Sequence, residues 1–187
     1  MQSDKGCQRL DTFGAFADKE GMTRSLGSAL TPALVDRLSQ RDITRRLGTA
    51  LPFVTVDPEG RPHPMLLSYL EIRAYDSGTV GLVIGARTRS ARNLAERGTA
   101  TLLAIEPDVT VYVKLRVVDG PLPVADSGEY GLGYFLLAVE EVLEDAAADW
   151  EGGMRITSAV RYAPPPALDE PWARATLAAL AEPRARA

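Results

Sequence analysis

The chain has 187 residues, 45% hydrophobic and 25% charged, a composition and length that suit one domain with its own core and exclude a fibrous or wholly disordered chain. Its formal net charge of −4 argues against general nucleic-acid binding, because neutralising phosphates supplies most non-specific affinity.

Residues 1–30 are rich in Gly, Ser and charge and show no sustained period, so they read as a flexible leader. Met22 is an alternative natural start within it. Asp4, Lys5, Arg9 and Asp11 stand where a secretory signal would carry an apolar run, and the single cysteine, Cys7, cannot close an internal disulfide. The longest apolar runs, such as Phe135 to Val139, fall far short of the ~20 residues that cross a bilayer. A soluble cytoplasmic protein, with neither nucleic acid nor membrane as partner, is the expectation.

Thr31-Pro32 is an N-cap followed by a favoured first helical residue, and Leu34, Val35, Leu38 and Ile43 give an apolar stripe; a helix is predicted over about 31–47, stopped at Gly48. Leu51 to Val56 reads as a strand, Asp57-Pro58-Glu59-Gly60 as a turn, and Pro64 to Ala74 as the returning strand of a hairpin. Thr79 to Gly85 is a third strand, residues 89–97 a short helix ended by Gly98, and Thr99 to Glu106 a fourth strand. From Val109 to Asp119 apolar residues alternate with Thr110, Tyr112, Lys114 and Arg116, the period-two signature of a half-buried strand.

From Tyr134 to about 147 the spacing of Phe135, Leu136, Val139, Val142 and Leu143, opposite Glu140, Glu141, Glu144 and Asp145, predicts an amphipathic helix. A last strand is predicted over 154–162. Pro164-Pro165-Pro166 opens a C-terminal tail (164–187) with a short helix from Pro171. Hairpins dominate and no βαβ alternation is visible, so the fold class is mainly β (α+β), a small antiparallel barrel flanked by helices.

Catalytic motifs are scarce. His63 is the only histidine, which rules out a two-histidine metal site, and Glu140-Glu141 reads as a solvated face. The informative cluster is Arg87-Thr88-Arg89-Ser90-Ala91-Arg92, which joins a strand end to a helix start. Unpaired N–H groups at a helix N-terminus, two hydroxyls and several guanidiniums make either a monophosphate cradle or a basic solvated turn.

The run Thr55-Val56-Asp57-Pro58-Glu59-Gly60-Arg61-Pro62-His63 resembles the first hairpin of pyridoxamine 5′-phosphate oxidase-like proteins. Thr88 to Leu94 is similar to that family's "S-R-K-x-x-N-L" segment, and Lys114 to Gly120 to its later strand ending in an acidic-Gly pair. The resemblance spans about residues 31–163 and implies a split β-barrel, a homodimer, and FMN at the subunit interface. It implies that Arg89, beside Thr88 and with Arg87, Ser90 and Arg92 nearby, holds the FMN phosphate. Met65, Leu66, Leu67 and Ser68 would run beneath the flavin ring, with Lys114 as a further contact. Trp150 to Ile156 partly resembles the C-terminal signature of the true oxidases, which makes Trp150 either a flavin contact or a core anchor. Ser90 stands where the family's phosphate segment carries a Lys, and two further departures, Ser68 for the substrate-phosphate Lys and Thr157 for a His, argue against vitamin B6 as substrate. The implied activity is that of an FMN-dependent oxidoreductase acting on a small molecule. A non-catalytic flavin- or haem-binding module and an F420-dependent reductase on the same fold are the alternatives.

Overall fold

The structure, a computed structural model, describes residues 23–145 and 153–185. Cys7, Met22 and Trp150 lie outside the described residues. Among the described residues eight antiparallel strands form one sheet: β1 (Thr23–Gly27), β2 (Ala50–Val56), β3 (Pro62–Ser68), β4 (Ile72–Ala74), β5 (Thr79–Gly85), β6 (Thr99–Glu106), β7 (Val109–Pro123) and β8 (Leu132–Asp145). Their order is β3-β2-β6-β7-β8-β5-β4, and β1, from the stretch expected to be leader, extends the sheet by pairing with the end of β8.

The two terminal strands of that order, β3 and β4, are joined by a 3₁₀ turn, Tyr69–Glu71. So short a link brings the two outer edges of the sheet together at one end, and the sheet curls into a barrel that stays split between β3 and β4. The single strand predicted over Pro64 to Ala74 is therefore two strands on opposite edges. Its apolar residues continue through the corner, where Tyr69 and Leu70 are buried, so composition gives no sign of the break.

The helix predicted at 134–147 is also a strand. β8 pairs with β7 along one edge and with β5 and then β1 along the other. Phe135, Leu137, Val139 and Val142 are buried in the barrel. Between Lys114↔Glu141 and Leu115↔Val139 the register shifts by one residue, so Glu140 is an extra residue on β8. That bulge sets the inward residues 139 and 142 three apart, and with 135 two alternations earlier the spacing of four and three imitates the helical period. Tyr134 is also buried, because the outer face of this half of β8 is covered by another element.

That element is α4 (Pro171–Ala179), which packs Ala175 and Ala179, with Leu180 just beyond it, against Val83, Val124 and Tyr134. Arg73 donates to the Leu180 carbonyl (3.1 Å), Tyr75 to the Glu182 carbonyl (3.1 Å), and the Arg184 N–H to the Tyr134 hydroxyl (3.1 Å). Gly81 lies under this contact: a Cβ there would come within 2.5 Å of the Tyr75 hydroxyl and 2.8 Å of Leu180. The strand predicted over 154–162 is not formed. This segment is extended, but its only ladder contact among the described residues is the bridge Thr49↔Arg161, and Met154 and Val160 are exposed. No helix among the described residues is long and apolar enough to cross a membrane.

The barrel ends are plugged by helices. The helix predicted at 31–47 is two pieces, α1 (Pro32–Leu38) and α2 (Ile43–Arg46), with Thr31 capping the first as expected. Gln40 interrupts them in the left-handed region (φ 65°), and its side-chain amide donates to the carbonyls of Tyr69, Leu70 and Ile72. Beside it, Glu106 at the end of β6 accepts from the Tyr69 hydroxyl and from Arg37 Nη1 (2.9 Å), and pairs with Arg46 at 3.7 Å. Burial and the Glu106 carboxylate both push the Tyr69 hydroxyl well above its ordinary range.

The side chains of Glu106 and Arg37 are each only 11% exposed. Glu106→Ala leaves Arg37 without its inner partner and Tyr69 without an acceptor, so a loss of roughly 3–5 kcal/mol in unfolding free energy is expected. Urea unfolding checks it; a loss below about 1 kcal/mol would mean the cluster is an ordinary surface pair.

Candidate functional site

β5 ends at Gly85 and the chain turns sharply into α3 (Arg89–Arg97). Thr88 makes the turn. Its hydroxyl donates to the Gly85 carbonyl (2.8 Å) and accepts the Ala91 N–H (3.1 Å), so it serves as the helix cap. Gly98, with φ at 69°, closes the other end as the sequence predicts. The helix lies across one mouth of the barrel, with Ala91 and Leu94 buried in the core.

Arg87, Thr88, Arg89 and Arg92 are exposed and are gathered at this strand–helix junction. The Ser90 side chain is not among them; at 3% exposure it points inward beneath the helix. Arg89 and Arg92 line a cleft of about 310 Å³ between α3 and the β2–β3 turn. Asn93 and Glu96 share their wall, and Asp57, Glu59 and Arg61 form the opposite one. Asn93 is buried and donates to Thr55 Oγ1 (2.9 Å), which itself donates to the His63 carbonyl (3.3 Å). This relay fastens the helix to both strands of the first hairpin.

Charge is distributed unevenly in the cleft. Arg61 is engaged by Asp57 (2.9 Å) and Glu59 (2.9 Å). Asp57 also accepts the Arg61 N–H (2.8 Å), and that bond together with the guanidinium holds its carboxyl below the usual range. Arg87, Arg89 and Arg92, by contrast, have no carboxylate partner among the described residues. Most other arginines are paired or bonded: Arg24, Arg37, Arg41, Arg45, Arg46 and Arg116 with acids, Arg97, Arg161 and Arg174 with backbone carbonyls.

β3 leads away from the turn beside the cleft. Leu67 is wholly buried and Met65 packs against the core, whereas Leu66 is 47% exposed on the outer face. Ser68 lies at the far end of the strand, where its N–H (2.7 Å) and hydroxyl (2.9 Å) both bind Glu71 Oε2. Because β3 is the last strand of its sheet, its second edge carries backbone groups that no other described strand pairs. Lys114 stands on the outer face of β7, opposite Thr101, and pairs with Glu141 at 2.7 Å.

The structure thus gathers the arginine cluster and the hairpin turn at one mouth, runs β3 away from it, and leaves Lys114 across the sheet. Sequence reading missed Asn93, Asp57 and Arg61 as parts of this wall. The Asp57–Arg61 spacing within a turn was the available signal. No group of three or more His, Cys, Asp or Glu among the described residues could hold a metal ion.

No family model matches the chain. It is 28% identical over 131 residues to the uncharacterized protein YclD of Bacillus subtilis, covering 69% of this chain and 84% of that one. Similar solved structures include a provisionally named pyridoxamine 5′-phosphate oxidase of Lactobacillus delbrueckii (TM-score 0.48, 16% identity, 64% of this chain and 98% of that one). An FMN-binding protein of Syntrophomonas wolfei (TM-score 0.45, 12% identity, 59% and 85%) and an F420 reductase (TM-score 0.41, 14% identity, 52% and 90%) are also similar.

Glu71 gives the far end of β3 a pH signature. Burial raises its carboxyl above the ordinary range, against the opposing pull of the Ser68 N–H and hydroxyl. The folded state therefore holds this proton more tightly than the unfolded chain. The stability this contributes is complete below the unfolded value and is lost as pH rises through the folded one. The stability of wild type relative to Glu71→Gln should accordingly fall as pH rises through that window. Parallel urea titrations across the carboxylate range check it, and a pH-independent difference would show that Glu71 does not titrate there.

Proposed function

We propose that this chain is an FMN-binding flavoprotein of oxidoreductase type, working as a homodimer, with the FMN phosphate held at the β5–α3 junction. The observation that carries the reading is the cluster of exposed guanidiniums without carboxylate partners at a helix start beside an open cleft. A phosphate would receive charge-assisted hydrogen bonds from Arg89 and Arg87, and hydrogen bonds from the N–H groups at the very start of α3, ahead of the Ala91 N–H that Thr88 caps. Thr88 would orient these donors rather than donate its own proton, which the Gly85 carbonyl already takes.

The residues present fit the rest of the group. The unpaired edge of β3 offers alternating N–H and C=O groups for the polar rim of a flavin, and Leu66 offers apolar surface beside it. Flavin, when bound, supplies the electron-transfer chemistry. The chain then has to position it and control its access to water and substrate, which accords with the absence of an acid–base constellation in the sequence.

The outer face of the sheet supports the dimer. Leu66 lies in register with Pro52; the pair Phe53↔Leu102 sets Pro52 beside Leu103; Leu103 opposes Tyr112, and Tyr112 opposes Leu143. This row of partly exposed apolar side chains crosses β3, β2, β6, β7 and β8. A second copy related by a two-fold axis would cover it and bring its own residues to the edge of β3.

A visible spectrum of the purified protein, with mass analysis of whatever denaturation releases, separates FMN from F420 and from haem. NADPH- or NADH-driven bleaching of the flavin colour separates an enzyme from a binding module.

Arg89→Ala should weaken FMN binding by roughly ten- to a hundred-fold, from the loss of one charge-assisted bond, and riboflavin binding much less. Equal FMN affinity in the variant and wild type would remove Arg89 from the site. For the dimer, sedimentation at micromolar concentration should give twice the chain mass, and Leu66→Asp should shift the protein toward monomer. A wild-type monomer would exclude the two-fold arrangement.

A further inference from the structure

A second cleft, of about 520 Å³, opens between α4 and the start of the β7–β8 connection. Its floor is apolar and made of small residues: Val124, Ala175 and Ala179 are all nearly inaccessible, and they leave the volume open. Its rim is charged. Arg174 and Arg184 stand on it, with Asp126 as the acid. None of the three forms an ion pair among the described residues. Arg174 is steadied by a bond to the Asp169 carbonyl, and the Arg184 guanidinium lies over the Tyr134 ring, 5.8 Å from its centre. Both cations are thus placed with donors to spare.

The volume is that of a small-molecule site, and its lining is the usual mixture of apolar wall and few polar groups. Two guanidiniums against one carboxylate favour an anion, and the planar fork of arginine matches a carboxylate. A shallow floor of alanine methyls suits a flat body. Asp126 would repel a second negative charge but would accept a hydrogen bond from a hydroxyl. We propose that this cleft binds a small aromatic monocarboxylate that carries a hydroxyl group, its carboxylate on Arg174 and Arg184 and its hydroxyl toward Asp126.

The cleft and the first site share a stretch of backbone. The segment that begins with Val124 and Asp126 runs to Gly131, whose carbonyl accepts the Ala86 N–H (2.8 Å), one residue before Arg87.

The probe is 4-hydroxybenzoate, titrated into the full chain and followed by backbone amide NMR shifts. Saturable shifts should centre on Ala125, Ala175, Ala178 and Ala179. 4-Hydroxybenzyl alcohol, which lacks the carboxylate, should bind about tenfold or more weakly, the worth of one charge-assisted bond. Arg184→Gln, which keeps the backbone bond to Tyr134, should weaken 4-hydroxybenzoate by a similar factor. Ala178→Trp, at an exposed cleft position, should abolish binding by filling the volume. Should Ala178→Trp fail to fold, Arg184→Gln and the alcohol decide alone. Shifts elsewhere, binding unchanged in Arg184→Gln, or inorganic phosphate competing as well as 4-hydroxybenzoate would overturn the proposal. Because no step uses flavin, failure here leaves the FMN reading standing, and loss of FMN binding leaves this one standing.

Discussion

The architecture depends on the link between the outermost strands. β3 and β4 lie at opposite ends of the strand order, yet only Tyr69, Leu70 and Glu71 separate them in the chain. A flat sheet of this order would place those strands several strand spacings of about 4.8 Å apart. Three residues cannot cover that distance, so the sheet must curl until its edges approach. The corner is held from three sides: Glu71 caps it through Ser68, Gln40 binds its carbonyls, and Tyr69 is anchored on Glu106. Each contact satisfies polar groups that a buried turn would otherwise leave unpaired, which is costly in a core.

The same curl sets the candidate site. Closing one end of the barrel with α1 and α2 leaves the other mouth to α3, and the turn into that helix emerges beside the first hairpin. Arg89 and Arg92 thereby face the Asp57–Arg61 turn across a cleft, although they are far from it in sequence. The pairing is uneven. Arg61 is taken up by the acids of its own turn, whereas Arg89 and Arg92 form no ion pair among the described residues although Glu96 shares their wall.

Much of this was legible in the sequence, and the failures have physical causes. Thr31, Gly60 and Gly98 marked boundaries correctly because caps and left-handed turns are local devices, whereas Thr88, read as a phosphate donor, is itself a cap. β2, β5 and β6 were read nearly to the residue from their apolar runs and flanking turns. The split between β3 and β4 was hidden because the corner is as apolar as the strands. The helix break at Gln40 was hidden because a left-handed glutamine carries no compositional signal. The inward side chain of Ser90 and the burial of Leu67 depend on which way an element faces, which only packing decides. The grouping of the arginines at one junction was visible because they are contiguous in the chain. Their opposite wall was not, since it comes from another hairpin.

The bulge at Glu140 bears on how this strand tolerates change in length. Elsewhere in β8, deleting one residue would turn every later side chain to the wrong face of the sheet. Removing Glu140 would instead let Val139, Glu141 and Val142 alternate without interruption and keep each facing its present side. Single-residue gaps among relatives should therefore collect at this point, and a relative lacking the residue would show an ordinary strand pattern where this chain imitates a helix.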